Sequence, residues 1–501
     1  MVSRESVRLA FLLAALNDLD IWAADIGNAY LNAPCREKIW TMAGSEFGSD
    51  KGSVMLVVQA LYGLKTSGTS WRAMFAQTIK DMGFTSTKAD PDVYIRAATK
   101  ECGFEYYEMI LVYVDDVLHC SHDTNRVESY LKSAYRLKDG STGEPDRYLG
   151  ANVKKFVIDG NVRHALTCED YVKSAVSNID KMLIDDGQEK GLSIYGKKGS
   201  SRPFPIGYRA ECDVSPELND KMASRYLQLI GILRWAVELG RIDIYTEISV
   251  LSQHQCLPRE GHLDALYRIF WYLKKAKESR IIFDPTRMDT DERLFNDVNK
   301  EAWQEFYEYA EEPMPPTMPP PRGLSVKMTC YVDADHAANR VTRRSHSGIL
   351  IYCQNTPIVW LSKRQNTVET SSFGSEFVAL RIATELIQAL RYKLRMFGVP
   401  VEGPTDVFCD NQSVTKNASI PSSVLSKKHN AICYHKVREA QASGAQRVGW
   451  IQGEYNQADI MTKTTLSTEV KSNICHEIFG WRRKDIFQFE DKDSKPTKEV
   501  G

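Results

Sequence analysis

Two aspartates lie side by side inside a hydrophobic stretch of the first quarter of the chain. Asp115 and Asp116 separate an apolar run that begins at Tyr106 from a second short run that ends at Cys120, and this pattern predicts a β-hairpin with two acids at its tip. An earlier apolar run ends near Asp25, which supplies a third carboxylate if the two elements pair in one sheet. Neighbouring acids between apolar strands repel each other, so a bound cation is the natural counter-charge. A solvated Asp-Asp turn without a ligand is the alternative for the hairpin alone.

Further acids in the second half of the chain each lie at the predicted end of an element. Asp333 and Asp410 end strands, Glu376 opens a long helix, and Asp459 starts a late helix. Singly, each has an ordinary explanation as a turn residue or as a first-turn acid favoured by the helix dipole. Together they can converge at one edge of a mixed sheet, with Asp335 as an outer or solvated acid.

Both groups have the donor atoms that metal-dependent phosphoryl transfer requires. Such transfer uses two divalent cations about 4 Å apart, one for the attacking oxygen and one for the leaving group. Magnesium prefers oxygen ligands held on rigid backbone. The sequence therefore predicts two Mg²⁺ ions at each site, with Mn²⁺ as a substitute.

The hydrophobic pattern predicts the elements that position these acids. Helical spacing over residues 5–19 predicts a helix that leads into the strand ending near Asp25, and residues 221–283 are mostly helical by period. A fresh α/β pattern begins at residue 327. Between 286 and 323, acids and aromatics give way to a proline-rich run, which predicts an extended linker. The last 35 or so residues are charged and polar, and we expect them to fray.

Composition bounds the class of protein. The chain has 501 residues, 43% of them hydrophobic, which is too long for one core and enough to fill two or three. Lys plus Arg number 64 and Asp plus Glu 65, so a nucleic-acid site must be a local patch. The 11 cysteines lie singly, and the apolar runs are much shorter than a membrane span. These features predict a soluble, intracellular protein in a reducing compartment.

Segments of the first half are similar, in order, to family blocks of copia-type retrotransposon reverse transcriptases. These segments are DIGNAYL at 25–31, ALYGLK at 60–65 with Trp71 following, YVDD at 113–116, PDRYLG at 145–150, YLQLI at 226–230, Leu251-Ser252 and WYLKK at 271–275. The resemblance covers about residues 5–285, and its combination of motifs is highly specific. It implies that Asp25, Asp115 and Asp116 bind the two metal ions of a polymerase.

The same resemblance implies contacts with substrate. Tyr30 matches the aromatic steric gate whose ring collides with a ribonucleotide 2′-hydroxyl, although a tyrosine is more often plain core. Gly63 and Lys65 match a loop that touches template and incoming nucleotide, although Lys65 alone would be a surface lysine. Residues 66–69 (TSGT) replace the family's Gln-Ala-Pro-Arg, so an amide and an arginine near the nucleotide are lost. The chain begins about twenty residues before Asp25, so most of the fingers segment is expected to be missing.

The second half resembles a type 1 ribonuclease H of the copia kind over about residues 327–465. The matching segments are RRS at 343–345 leading to Gly348, WLSKRQ at 360–365 and ADIMTK at 458–463. The resemblance implies that Asp333, Glu376, Asp410 and Asp459 hold the metal ions that activate water against an RNA phosphate. Specificity for an RNA–DNA hybrid would come from 2′-hydroxyls and groove shape.

A histidine-containing block between the last two acids offers two interpretations. His429 lies where relatives carry a KHI…YH block, which suggests a residue that contacts the hybrid or shuttles a proton. A zinc site formed with Cys433 and His435 lacks a fourth ligand at suitable spacing and is disfavoured.

The resemblance implies an α/β fold class. We expect an α+β palm-type polymerase domain with a helical thumb or connection, followed by an RNase H-like mixed-sheet domain. The expected domains are residues 1–181 for the palm with truncated fingers, 182–285 for the thumb or connection, 286–325 for a Pro-rich acidic linker, 326–465 for the RNase H-like domain and 466–501 for a polar tail.

The implied function is RNA-directed DNA polymerase with ribonuclease H activity, as part of an LTR retrotransposon polyprotein. The implied partners are an RNA template, a DNA primer, RNA–DNA hybrid, dNTPs and other Pol segments, without a membrane, in cytoplasmic virus-like particles and the nucleus. The alternative is a truncated or domesticated fragment that folds and binds nucleic acid but does not polymerise, which residues 66–69 and the short N-terminal segment favour. The presence of every acid of both clusters favours the enzyme.

Overall fold

The computed structural model describes residues 1–158, 160–196, 202–205, 207–276, 278–296, 300–308, 310–425, 428–480 and 487–488. The chain forms two compact units. The first comprises Met1–Pro145, Pro315–Leu324 and Lys393–Pro400, and the second comprises Asp146–Met314, Ser325–Tyr392 and Val401–Gly501. The domain limits expected from the sequence stay predictions, because compact units in space do not test functional limits.

The first unit combines helices with one large antiparallel sheet. Its helices are α1 (Arg4–Asn17), α2 (Ser67–Asp81) and α3 (Asn125–Ala134). Its strands are β1 (Asp20–Asp25), β2 (Trp40–Met42), β3 (Val54–Leu56), β4 (Thr85–Ser86), β5 (Val93–Thr99), β6 (Glu105–Tyr113) and β7 (Asp116–Ser121). The sheet has the order β1-β7-β6-β5-β4, and β2 pairs with β3 separately.

Burial of apolar side chains explains why this sheet forms, since the central residues of β1, β6 and β7 are buried in continuous runs. One hydrophobic core holds Trp71 and Phe75 of α2 against Ile110 of β6 and Val117 of β7, all at most 2% exposed. The helix predicted over residues 5–19, the strand near Asp25 and the hairpin are therefore confirmed.

The second unit contains a small antiparallel sheet, a helical region and a larger mixed sheet. Its helices are α4 (Glu169–Asp185), α5 (Asp220–Glu238), α6 (Tyr245–Leu251), α7 (Glu260–Lys275), α8 (Lys300–Gln304), α9 (Ser372–Met396), α10 (Gln412–Ser419), α11 (Ala431–Ala442) and α12 (Thr468–Phe479). Its strands are β8 (Arg147–Tyr148), β9 (Ala151–Ile158), β10 (Asn161–Thr167), β11 (Arg280–Ile282), β12 (Met328–Asp335), β13 (His346–Cys353), β14 (Thr356–Arg364), β15 (Thr405–Cys409), β16 (Gln446–Trp450) and β17 (Phe487–Gln488).

The mixed sheet has the order β14-β13-β12-β15-β16. The strands β14, β13 and β12 are antiparallel neighbours, whereas β12, β15 and β16 run parallel. The smaller sheet has the order β11-β10-β9-β17, with β8 beside β9. These elements confirm the α/β fold class and the mostly helical region over residues 221–283. Among the described helices, none is both long enough and apolar enough to cross a bilayer.

Two expectations about irregular regions need correction. The prolines at 313–321 form neither helix nor strand, as predicted, but the preceding part of the expected linker contains a 3₁₀ helix (Glu292–Leu294) and α8. This part folds because Phe295 and Trp303 are buried, at 8% and 2% exposure. The start of the expected frayed tail forms α12, which buries apolar residues such as Ile474 and Phe479. Residues 481–486 and 489–501 of that tail lie outside the described residues.

Candidate active sites

The two hairpin acids lie beside Asp25 in the first unit. β1 pairs with β7 so that Asp25 faces Asp116, and the backbone N–H of Ile26 donates to the carbonyl of Asp115 at 2.9 Å. The hairpin turn is formed by Val114 and Asp115, and Val114 has a φ of 62°, a left-handed conformation that is unfavourable for a β-branched residue. The sheet therefore brings the three predicted acids together at one edge.

Trp71 of α2 supports this strained turn. Its indole Nε1–H donates to the carbonyl oxygen of Val114 at 2.7 Å, and its ring stacks on Phe75 with centroids 5.0 Å apart. Trp71 is 2% exposed. The turn that presents the acids is thus fixed to a core helix.

A lysine from the segment after α3 lies against the same acids. Nζ of Lys138 is 2.5 Å from Oδ2 of Asp25 and 4.0 Å from Oδ2 of Asp115. The backbone of the segment is held as well, since the N–H of Lys138 donates to the carbonyl of Asp25 at 3.0 Å and the hydroxyl of Ser141 accepts from the N–H of Asp25 at 3.1 Å. A cationic group therefore already offsets the negative charge of this edge.

The pKa values of the first site are shifted because several charged groups lie close together. Burial raises the pKa of Asp116 to about 6, with Asp115 and Asp25 adding to the shift and Lys138 opposing it. The pKa of Lys138 is raised by its hydrogen bond to Asp25, against a smaller opposing effect of burial. The site favours a cation and resists full ionisation without one.

The donor set of the first site fits a hard divalent cation. All three acids offer carboxylate oxygens, which Mg²⁺ prefers. Oδ1 of Asp25 is buried and has no hydrogen-bond partner among the described residues. A buried carboxylate oxygen without a donor is costly, and a metal ion would remove that cost.

The predicted substrate contacts of the first unit lie around the same hairpin. Tyr30 is half-buried in a 3₁₀ helix and packs on Tyr62 with ring centroids 4.5 Å apart. Tyr30, Trp71 and Val114 line one cavity of about 230 Å³, which connects the predicted steric gate to the hairpin. Gly63 and Lys65 lie exposed on the segment before α2, and Gly63 has a φ of 97°.

The second acid cluster forms where two parallel strands end. Asp333 lies near the end of β12, and Asp410 directly follows β15, the parallel neighbour of β12. Glu376 lies in the first turns of α9, and the backbone of Ala334 favours the charged form of its carboxylate. Because parallel strands end at the same sheet edge, these acids meet there.

Asp459 reaches this edge on a short 3₁₀ helix, Gln457–Met461. Asn456 anchors that helix, since its side-chain amide donates to the carbonyl of Val332 at 3.0 Å and its oxygen accepts from the N–H of Ala458 at 3.1 Å. Gly348 of β13 makes the approach possible, because a Cβ there would lie 2.7 Å from Cβ of Met461 and 2.8 Å from the carbonyl oxygen of Ala458. The fourth acid therefore depends on the absence of a side chain at residue 348.

The four acids converge around Asp410. Among the described residues, two sets of three ligand atoms lie within 4.8 Å of one another, and both contain Asp410. These sets are Asp333-Asp410-Asp459 and Glu376-Cys409-Asp410. The acids of the first unit do not form so tight a set among the described residues. The second site is thus the more nearly assembled one.

Two neighbours of Asp459 complete the second site. The hydroxyl of Thr462 donates to Oδ2 of Asp333. Nζ of Lys463 lies 2.6 Å from Oδ1 of Asp459 and 3.8 Å from Oδ2 of Asp333. A lysine therefore lies against each acid cluster.

Burial and mutual repulsion govern ionisation of the second site. Burial raises the pKa of Asp333 to about 7, with Lys463 opposing the shift and Asp459 adding to it. Burial, Asp333 and Asp410 raise the pKa of Glu376 well above its usual range. Burial alone would lower the pKa of Lys463, but Asp333 and Asp459 raise it to about 12. The lysine is therefore charged wherever the acids begin to ionise.

The second site also fits a hard divalent cation. Oε2 of Glu376 is buried without a hydrogen-bond partner in the described part of the chain. Cys409 is the one donor of these two sets that is not a carboxylate, and burial raises the pKa of its thiol well above the usual range. A neutral thiol is a poor ligand for Mg²⁺, so the carboxylates remain the relevant donors.

The remaining predicted residues lie outside this set. Asp335 is half-buried at the end of β12, and burial raises its pKa. Nε2 of His429 lies 3.7 Å from Oε2 of Glu369, so its described contact is with Glu369 rather than with the four acids. The neighbouring Lys427, which belongs to the same predicted block, lies outside the described residues.

Sequence reasoning missed the supporting residues. It named the acids but gave no role to Lys138, Trp71, Asn456 or Thr462. Motif spacing gave no signal for Lys138, which is 113 residues from Asp25. The segment ADIMTK at 458–463 contains Thr462 and Lys463. Their closeness to Asp459 in sequence was the one indication that they could belong to the site.

Several known proteins are similar in sequence to this chain. Residues 1–184 match the family described as reverse transcriptase (RNA-dependent DNA polymerase). Over 92% of its length the chain is 23% identical to the retrovirus-related Pol polyprotein from transposon RE1 of Arabidopsis thaliana, and over 96% it is 24% identical to that from transposon TNT 1-94 of Nicotiana tabacum. The chain spans 28% and 32% of the length of these two relatives. The resemblance to copia-type Pol polyproteins is therefore confirmed.

A shorter relative and two solved structures are also similar. The putative transposon Ty5-1 protein YCL074W of Saccharomyces cerevisiae is 23% identical over 71% of this chain and 97% of its own length. A foamy viral protease-reverse transcriptase in complex with RNA/DNA hybrid covers 88% of this chain and 45% of its own, with a TM-score of 0.41 and 12% identity. The N-terminal RNase H domain of rv2228c from Mycobacterium tuberculosis covers 30% of this chain and 98% of its own, with a TM-score of 0.22 and 15% identity.

Proposed function

We propose that this chain is a bifunctional enzyme of a retrotransposon Pol polyprotein. The first unit would extend a DNA primer on an RNA template, and the second would hydrolyse the RNA strand of the resulting RNA–DNA hybrid. The observation that carries the proposal is the pair of separate acid clusters, Asp25-Asp115-Asp116 and Asp333-Glu376-Asp410-Asp459, each with a buried carboxylate oxygen that lacks a donor among the described residues.

Each cluster would hold a pair of Mg²⁺ ions, with Mn²⁺ as a substitute. When bound, such ions activate the attacking oxygen and stabilise the leaving oxygen of phosphoryl transfer. The protein supplies the rigid scaffold, because Asp25 and Asp116 lie on paired strands and Asp333 and Asp410 at the ends of parallel strands. Fixed carboxylates lose little entropy when the ligand binds, which is the benefit of a preorganised site.

The chain's own side chains would select the substrates. Tyr30 lies in the cavity beside the hairpin, where its ring would meet the 2′ position of an incoming nucleotide. Gly63 and Lys65 lie on an exposed segment that precedes α2, so they are free to contact template and nucleotide. His429 would contact the hybrid or carry a proton near Glu369.

A second candidate is a fragment that binds nucleic acid without polymerising. The specific observation in its favour is the run 66–69, where the family's amide and arginine are absent and Thr66 instead bonds to Glu37 through both its N–H and its hydroxyl, at 3.1 Å and 2.5 Å. Thr66 is therefore bonded to Glu37 rather than presented to a nucleotide.

Two activity assays on the full chain separate these candidates. The first is primer extension on an RNA template with dNTPs and Mg²⁺, and the second is cleavage of a labelled RNA–DNA hybrid. Asp115→Asn should abolish extension and spare cleavage, and Asp410→Asn should do the reverse, so each variant is the folding control for the other. Cleavage without extension by the unsubstituted chain would support the second candidate, and loss of both activities in either single variant would contradict two independent sites.

A further inference from the structure

The 3₁₀ helix that carries Asp459 ends inside the protein. Its last two residues, Ile460 and Met461, are 1% and 0% exposed. The last carbonyl groups of a helix have no partner within that helix, and a buried carbonyl without a donor costs free energy. The position of Asp459 therefore depends on the groups outside the helix that donate to these two carbonyls.

Two buried hydroxyl groups are the donors. The hydroxyl of Thr246, in α6, donates to the carbonyl oxygen of Ile460 at 2.6 Å. The hydroxyl of Ser362, in β14, donates to the carbonyl oxygen of Met461 at 2.7 Å. Thr246 and Ser362 are 0% and 3% exposed. The end of the helix is thus capped by two side chains that lie far from Asp459 in sequence.

His346 orients the hydroxyl of Ser362. Nε2 of His346 lies 2.8 Å from Oγ of Ser362, and burial together with the nearby Arg364 lowers the pKa of this histidine to about 4. A neutral imidazole that carries its proton on Nε2 donates to the serine oxygen. A hydroxyl has one proton, so Ser362 gives it to the carbonyl of Met461 rather than to the more distant Oγ1 of Thr246, at 3.4 Å.

The short helix α6 is bonded to the region of the mixed sheet at two further places. Nζ of Lys471, in α12, lies 2.7 Å from Oε1 of Glu247, and both side chains are buried. The hydroxyl of Ser249 donates to the backbone carbonyl of Ser362 at 2.8 Å. These bonds hold α6 in place, so Thr246 does not depend on its own bond to Ile460 for its position.

We propose that Thr246 and Ser362 are positioning residues of the nuclease. By capping the last carbonyls of the 3₁₀ helix, they hold Asp459 against the other acids of the second cluster. This inference rests on the proposed nuclease function. It gives a role in hybrid cleavage to a helix within residues 182–285, which the sequence assigned to the thumb or connection. Both hydroxyls act through the backbone, since each bonds to a carbonyl and not to a carboxylate.

The test uses the full chain carrying Asp115→Asn, which leaves the second cluster intact. Thr246→Val removes the hydroxyl and keeps the shape of the side chain, whereas Thr246→Ser keeps the hydroxyl. Thr246→Val should weaken Mn²⁺ binding, measured by electron paramagnetic resonance, and lower kcat for hybrid cleavage about tenfold each, as the loss of a group that supports a metal ligand does. The KM for hybrid should not change, and Thr246→Ser should restore both quantities.

Ser362→Ala removes the second cap and should have the same effect, so the test remains decisive if Thr246→Val does not fold. Thr356→Val is the matched control. Thr356 is 0% exposed and its hydroxyl donates to the carbonyl of Ile282 at 3.1 Å, so this substitution also removes a buried donor from the second unit. Thr356 begins β14, six residues before Ser362 and about 20 Å away along the strand. The control should lower the midpoint of thermal unfolding without changing Mn²⁺ affinity or kcat.

The outcomes separate the positioning role from the nuclease proposal. Normal Mn²⁺ binding and cleavage in both Thr246→Val and Ser362→Ala would overturn the positioning role and leave the nuclease proposal standing. Equal losses in Thr246→Val and Thr356→Val, or no recovery in Thr246→Ser, would also overturn it, because a general loss of stability would then explain the effect. Absence of both Mn²⁺ binding and cleavage in the parent would overturn the nuclease proposal and this inference together.

Discussion

Nζ of Lys138 lies 2.5 Å from Oδ2 of Asp25, although 113 residues separate the two in sequence. The pairing gives the acidic edge of the first unit its own counter-ion. Lys463 has the same relationship to Asp459 in the second unit, at 2.6 Å. In each site a lysine partly neutralises carboxylates that would otherwise repel one another, and a bound metal ion would take over that role.

Replacing Lys138 should therefore destabilise the metal-free protein more than the metal-bound protein. Lys138→Met should cost roughly 0.5–1 kcal/mol in EDTA, the range of a solvent-accessible ion pair, and less in Mg²⁺. Thermal unfolding in the two buffers measures the difference. Lys132→Met is the control, since Lys132 forms an ion pair of 2.6 Å with Glu128 at similar exposure and away from the acids. An equal metal dependence for both variants would contradict the counter-ion role.

The support of the hairpin by Trp71 gives a second prediction. Trp71→Phe should lower primer extension and cost about 1 kcal/mol of stability, because the part-buried carbonyl of Val114 loses its donor. Trp22→Phe is a matched control, since the indole nitrogen of Trp22 is buried without any partner to lose among the described residues. Hybrid cleavage should be unchanged in both. If Trp22→Phe reduces extension as much as Trp71→Phe, the hydrogen bond is not what positions the turn.

The side-chain space around residue 348 gives a third prediction. Gly348→Ala should displace the 3₁₀ helix that carries Asp459 and reduce hybrid cleavage by at least tenfold, about 1.4 kcal/mol of barrier. Primer extension should be unaffected, because residue 348 belongs to the second unit. Gly403→Ala tests for a general effect of a glycine replacement in that unit, since a Cβ at residue 403 would have no described neighbour within 4 Å, although the φ of 54° there adds backbone strain. Full cleavage activity in Gly348→Ala would refute the close-approach argument.

The raised pKa of Asp333 predicts how stability depends on pH without metal. The folded state holds the Asp333 proton up to a pKa of about 7, whereas the unfolded chain loses it near the usual value of 3.8. The folded state therefore binds more protons between these values, and stability should fall as the pH rises through this window. In EDTA, Asp333→Asn should gain stability relative to the unsubstituted chain between about pH 4 and pH 7. If the difference in stability between Asp333→Asn and the unsubstituted chain stays constant with pH, the raised pKa of Asp333 is contradicted.

The steric-gate role of Tyr30 is also testable. Tyr30→Val should increase incorporation of ribonucleotides relative to deoxyribonucleotides by at least tenfold, about 1.4 kcal/mol of discrimination. Tyr30→Phe keeps the ring and should keep the discrimination. Selection ratios come from primer extension with each nucleotide type. Equal ratios in Tyr30→Val and the unsubstituted chain would exclude the gate.

Local pattern predicted much of the fold. Helical spacing predicted α1, and short apolar runs predicted β1 and the β6–β7 hairpin, because each is encoded within a short window. The acids were found for a related reason, since Asp115 and Asp116 interrupt an apolar run and each later acid lies at the predicted end of a strand or start of a helix. The structure brings Asp25 opposite Asp116 and groups the later four around Asp410.

What escaped prediction depends on contacts between distant segments. Lys138 and Trp71 act through bonds to residues far along the chain, and no local period encodes them. The linker was expected to be extended, but Trp303 is buried there, and α12 forms where fraying was expected because it buries Phe479. In both segments tertiary burial outweighed a polar composition.

The central claim is that two separate acid clusters bind divalent metal, and Mn²⁺ binding to the full chain tests it most directly. Electron paramagnetic resonance of free Mn²⁺ would be compared for the unsubstituted chain, Asp115→Asn, Asp410→Asn and the double variant. We predict two separable classes of site, one lost in each single variant and both lost in the double variant. Equal Mn²⁺ binding by the unsubstituted chain and the double variant would contradict the claim.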